Sequence, residues 1–166
     1  MKISKILLCL GALLATTSAY AATQSLTATA RFVTPLTLTK IKDLDFGVLM
    51  PKRAATYTLN TAGVVSTNTG LILSGPSQAG EMLIKGKSNQ TIDINAGNFG
   101  TNQGVSIIAV RCKYDVAAEA NCNMTNQPAP GAAGKTLLIG ARILVNGTQA
   151  PSVVAVPTFD ITVNYH

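Results

Sequence analysis

The residues that could do chemistry are few. The chain has seven carboxylates: Asp43, Asp45, Glu81, Asp93, Asp115, Glu119 and Asp160. Paired carboxylates serve acid–base catalysis when a pocket drives their pKa values apart. Only Asp43 and Asp45 are close in sequence. They flank Leu44, so a strand places both on one face, and the expected setting is a solvated strand end. A serine or cysteine nucleophile needs a base beside it. The single histidine is His166, the last residue, so no interior imidazole serves that role. Gly97-Asn98-Phe99-Gly100 reads as a turn rather than a phosphate loop, and the ligand pattern of a calcium loop is missing. The chain is therefore not expected to be an enzyme, and no cofactor or metal is expected.

Cysteines are the other reactive type. Cys9 lies in a segment read below as a leader. Cys112 and Cys122 remain. A metal site needs more ligands than two thiols and a terminal histidine. In an oxidising compartment the two are expected to pair. The short loop they close corresponds to about 3 kcal/mol in the chain-entropy model.

The elements that carry these residues follow a period of two. Leu26, Ala28, Ala30 and Phe32 alternate with Thr27, Thr29 and Arg31. After Pro35 the alternation resumes at Leu36 and Leu38. Tyr57 and Leu59, Met82 and Ile84, and Ile92 and Ile94 repeat it. Val105–Val110 and Leu137–Val145 are apolar runs rich in β-branched residues. Phe159, Ile161, Val163 and Tyr165 alternate with Asp160, Thr162 and Asn164. Short alternating runs of such residues indicate half-buried strands. The glycines and prolines between them mark turns, and Asn146-Gly147 between two apolar runs predicts a hairpin. Many short strands at this spacing predict an all-β antiparallel sandwich or barrel. Val116–Asn121 is expected to form at most one helical turn, and residues 126–134 to form a flexible surface loop. Three Asn-X-Thr triplets are chance matches in a chain rich in both residues.

The first residues have the layout of a secretory signal peptide. Lys2 and Lys5 precede an apolar run from Ile6 to Ala15, and Ala19-Tyr20-Ala21 supplies the small residues of a cleavage site. The run falls short of the roughly 20 residues that span a bilayer. Cleavage after Ala21 leaves residues 22–166 as one domain, with no transmembrane segment after processing. A retained anchor is the competing reading. A lipid on Cys9 is disfavoured by Leu7 and Leu8 before it. Of 13 Lys and Arg, the two in the leader depart, and 11 basic against 7 acidic residues give +4. Lys40/Lys42, Lys85/Lys87 and Arg111/Lys113 each lie two apart, which puts both members on one strand face. A solvated sheet face accounts for this. Export and the scarcity of aromatic residues argue against a nucleic-acid partner.

Asp43-Leu44-Asp45-Phe46-Gly47, preceded by Thr34–Thr39 and closed by Phe159–Tyr165, resembles a family of bacterial exported domains labelled a domain of unknown function. That family looks like the chaperone–usher fimbrial subunits, which are immunoglobulin-like sandwiches. Leu26–Pro35 is similar to the N-terminal donor strand of such subunits, an alternating run ending near a proline. Tyr165 is penultimate, as a tyrosine often is there. Where such subunits often carry a glycine, fourteen residues from the end, this chain has Val153. Many of them also carry a disulfide near the N-terminus, unlike a Cys112–Cys122 bond.

The resemblance implies an immunoglobulin-like pilin or adhesin sandwich, secreted through the periplasm to a surface fibre that supports cell adhesion. Residues 23–33 are then the donor strand, with Leu26, Ala28, Ala30 and Phe32 as its inserting face, and 159–165 the last strand. The implied partners are copies of the chain or related subunits, a periplasmic chaperone and an outer-membrane usher. A terminal strand that adds to another sheet gains affinity from backbone hydrogen bonds and specificity from alternate side chains. Two readings compete: a self-contained secreted binding module whose N-terminal strand pairs within its own domain, and an enzyme with an unrecognised site.

Overall fold

A computed structural model describes residues 26–30 and 32–166. The expected leader, Cys9, the start of the expected donor strand and Arg31 lie outside the described residues. The chain divides into two units, residues 1–32 and 33–166. In the first, the described residues Leu26–Ala30 and Phe32 have no regular secondary structure and are exposed. In the second, thirteen strands and no helix are found among the described residues.

The longest strand, β12 (Lys135–Asn146), organises the larger sheet. One flank pairs with β9 (Val105–Tyr114) along its length. The other flank changes partner midway. Residues 135–139 pair with β6 (Gly80–Lys85), and residues 141–146 with β3 (Ala54–Leu59). Gly140 sits at the changeover. A Cβ there would collide with the carbonyl oxygen of Leu59, so the close approach of the β3 end requires glycine. Beyond β6 lies β1 (Thr37–Lys42), beyond β3 lies β4 (Val65–Thr67), and β8 (Thr101–Asn102) and β10 (Ala120–Asn121) flank β9. The smaller sheet runs β11 (Asn123–Pro128), β7 (Thr91–Gly97), β13 (Asp160–Tyr165), with β7 in the middle. A two-stranded piece joins β2 (Val48–Leu49) to β5 (Ile72–Ser74). Every pairing is antiparallel.

One core is shared by both main sheets, which makes the architecture sandwich-like. Tyr57, Ile84, Val110, Tyr114, Leu137 and Ile143 come from the larger sheet, and Ile92, Ile94 and Met124 from the smaller. Burying each such aliphatic side chain contributes about 1.5–3 kcal/mol. Period-two alternation places them, with one interruption. In β9 the pairing passes from Ala109↔Arg142 to Ile107↔Ile143, so Ile108 is an extra residue and is pushed outward. This bulge lets Val105 and Ile107 share a face with Val110, Cys112 and Tyr114.

Four local expectations are corrected. Asn146-Gly147 does turn, with Gly147 at φ 81°, but the chain after it forms no hairpin strand. The Asn146 carboxamide oxygen instead accepts from Thr148 N–H and Oγ1 and from Gln149 Nε2. A two-residue hairpin occurs at Gln103-Gly104, between β8 and β9, where φ is 47° and 73°. Residues 126–128 belong to β11, and Ala129 and Pro130 are buried, so only the segment after them is a surface turn. Val116–Asn121 forms a turn and the short β10 rather than a helical turn. β1 pairs with β6 but is exposed on both faces, with Leu38 and Ile41 at the surface.

Candidate functional site

The Asp43/Asp45 pair is the first place to look for chemistry, and its two carboxylates take different partners. Asp43 receives Lys40 Nζ at 2.8 Å at the surface. Asp45 Oδ1 accepts the Gly47 N–H at 2.8 Å, while its backbone exchanges two hydrogen bonds with Gln78. Gly47 has φ 70°, the left-handed value this turn needs. Leu44 packs over Gly80, where a Cβ would lie 2.8 Å from Leu44 Cδ1. Asp43–Gly47 is therefore a folded corner. Among the described residues no group of three His, Cys, Asp or Glu side chains is placed to hold a metal.

Glu119 is the most constrained carboxylate. It accepts Thr61 N–H at 2.8 Å and Thr61 Oγ1 at 2.7 Å, and pairs with Arg111 Nε at 2.8 Å. Burial pushes its carboxyl up, but the Thr61 bonds and the Arg111 guanidinium outweigh this and hold it below the usual range. The cluster ties the turn before β10 to the β3–β4 turn. Tyr114 donates to the Pro128 carbonyl at 3.0 Å, and burial, with Asp115 beside it, pushes its phenol up to about 12. Both arrangements join elements of the fold.

Cys112 and Cys122 form a disulfide. Cys112 lies in β9, and Cys122 stands between β10 and β11. The Cys122 backbone bonds both sheets: its N–H donates to Val110 and its carbonyl accepts from Ala96. The bond therefore fixes the crossing from the larger to the smaller sheet.

The feature with room for a partner is apolar. A cleft of about 1010 Å³ opens over the inner face of the larger sheet. Its floor includes Val105, Ile107, Ala141, Ile143 and Val145 from β9 and β12. Phe159 and Ile161, leading into and along β13, form one wall. The opposite side is the β1 end and the Asp43–Pro51 corner. Val48 and Leu49 of β2, Leu73 of β5 and the irregular segment 150–158 also line it, and Val154 and Val156 in that segment stand 78% and 64% exposed.

Of the expected last-strand residues, Phe159 and Ile161 line this cleft. Phe159, Ile161, Val163 and Tyr165 are half-buried against the core, and Asp160, Thr162 and Asn164 are exposed. Tyr165 Oη donates to the Thr34 carbonyl at 2.9 Å and accepts Lys87 N–H at 2.6 Å. It thereby fixes where the chain enters the folded unit. Leu26, Ala28, Ala30 and Phe32 lie before that point and in no sheet, with Leu26 94% and Phe32 90% exposed. The alternation in the sequence pointed to β13. The cleft was not legible, because its floor residues read simply as core.

A family model described as a domain of unknown function (DUF4402) matches residues 36–165. The chain belongs to this family. No curated protein and no solved structure matches it. The matched span of this DUF4402 chain takes in the Asp45 corner, the disulfide, the cleft and β13. Residues 26–33 precede it.

Proposed function

We propose that this DUF4402 chain is an exported structural subunit of a bacterial surface fibre, an immunoglobulin-like sandwich completed by a strand from the next copy. The open apolar cleft beside the edge strand β13 carries this reading. An apolar cleft beside a strand edge with no neighbour in its sheet offers a place for an alternating peptide, whose own apolar face leaves water on docking. Leu26, Ala28, Ala30 and Phe32 supply such a face, and their chain carries no acidic residue that the cleft would have to desolvate. Assembly of this kind supports adhesion and uses a periplasmic chaperone and an outer-membrane usher.

The reading is tested by a chain truncated to begin at Thr34. It should fail to polymerise, yet bind a synthetic peptide of residues 22–33 and melt higher in proportion to free peptide. A truncated protein that is fully stable, monomeric and indifferent to the peptide would replace the fibre subunit with a self-contained secreted binding module.

A further inference from the structure

Alternation along β12 sends Ala141, Ile143 and Val145 into the core and Arg142 to the opposite face. There the register sets Arg142 beside Thr58 of β3, and Thr58 beside Ser66 of β4. On the next rung of this face Leu144 lies beside Thr56. Thr56, Thr58, Ser66, Thr67, Asn68 and Arg142 line a polar hollow of about 320 Å³. That is at the small end of ligand sites, which span roughly 300–1,000 Å³.

Two observations set this hollow apart from an ordinary solvated sheet face. The first is charge. All seven carboxylates of the chain are engaged elsewhere, in ion pairs or hydrogen bonds. Arg142 joins none of the ion pairs among the described residues. Its neighbours across the sheet, Thr58 and Ala109, carry no charge, and neither do Gly140 and Leu144 along its own strand. Its planar fork of donors is therefore open to an anion from outside. The second is rigidity. The Thr67 hydroxyl donates to the Thr56 carbonyl and accepts the Gly70 N–H, both at 2.9 Å. Gly70 lies so close to the Tyr57 ring that a Cβ would collide with it, and the Tyr57 hydroxyl bonds Leu71. Tyr57 is fully buried. The turn that carries Asn68 is thus pinned to the core, so this wall is set before any ligand arrives. At Thr56 and Thr58 the side-chain bonds from β4 reach the carbonyls and leave the hydroxyls available.

We infer that this hollow binds an acidic sugar, its carboxylate on Arg142 and its ring hydroxyls on Thr56, Thr58 and Asn68. Neighbouring strands lie about 4.8 Å apart, so the rung from Arg142 to Ser66 spreads its polar groups over roughly 10 Å. A bare anion covers one step of that rung, whereas a carboxylated six-membered ring reaches across both. Threonine hydroxyls donate and accept, as sugar hydroxyls do, and the Asn68 carboxamide offers both roles as well. Leu144, 45% exposed beside Thr56, gives the C–H face of the ring an apolar contact. The hollow lies on the face opposite the cleft and does not depend on how copies of the chain assemble.

Saturation-transfer NMR on the full exported chain tests this, because the ligand's signals are read whether the protein is single or assembled. Sodium glucuronate is the probe, compared with glucose and sodium sulfate at one ionic strength. Glucuronate should bind, and glucose about tenfold more weakly for want of the charge-assisted pair. Arg142→Gln should weaken glucuronate by about tenfold, and Thr58→Val by roughly threefold. Both substitutions lie on the outer face and should leave the thermal melt unchanged. Glucose that binds as well as glucuronate would overturn the acidic class. Sulfate that displaces glucuronate at equal concentration would reduce the hollow to an anion spot and overturn the sugar. Glucuronate binding that is absent, or untouched by both substitutions, would overturn the site.

Discussion

Tyr165 shows how much one side chain fixes. Its hydroxyl holds the Thr34 carbonyl and the Lys87 amide together, beside Gly86, where a Cβ would lie 2.6 Å from that oxygen. Tyr165→Phe removes both bonds and should lower the unfolding free energy by about 1–2 kcal/mol, read by denaturant melts. Glu119 gives a pH signature. Its native carboxyl titrates below the ordinary 4.5, so its contribution is present above 4.5 and lost as pH falls through the native value. Glu119→Gln should therefore be less stable than wild type at neutral pH, by about 1–2 kcal/mol. The gap should close in acid. A gap that persists unchanged well below 4.5 would mean that charge is not what Thr61 and Arg111 recognise. The disulfide follows the same logic of loop closure. Intact mass with alkylation should show no free thiol in exported protein, and reduction should cost about 3 kcal/mol.

At the scale of elements, alternation and apolar runs located most of the longer strands, but the long alternation of Leu26–Phe32 forms none among the described residues. β7, β9, β12 and β13 all fall on runs read from the sequence. The failures have physical causes. Asn146-Gly147 makes its turn, but hairpin formation also needs a neighbour, and the flank of β12 is taken by β3, which a local pattern does not reveal. The β9 bulge at Ile108 breaks the period, so the run reads as uniformly buried. The partner change along β12 was invisible because it depends on β3 and β6 meeting end to end at Gly140. Gly140→Ala should test that junction. With the Leu59 carbonyl in the way, it should destabilise by about 1–3 kcal/mol, as overpacking does. At Gly97, in β7, an added Cβ meets nothing within 4 Å, so Gly97→Ala should cost far less.

For the whole molecule, the central point is an incomplete enclosure. Both sheets share one core, yet part of the larger sheet's inner face lies beneath a cleft flanked by an unpaired strand edge. The cleft itself was not legible, because the apolar residues that line it read in sequence simply as core. In the proposed fibre, the alternating segment before Pro35 is the complementary half and meets the cleft of another copy. The most direct measurement is the mass distribution, by light scattering after size exclusion, of the full exported chain and its A28D/A30D variant. Wild type should populate a ladder of oligomers that grows with concentration, and the variant should remain monomeric. A wild-type chain that stays monomeric at every concentration, or a variant that assembles as readily, would contradict it.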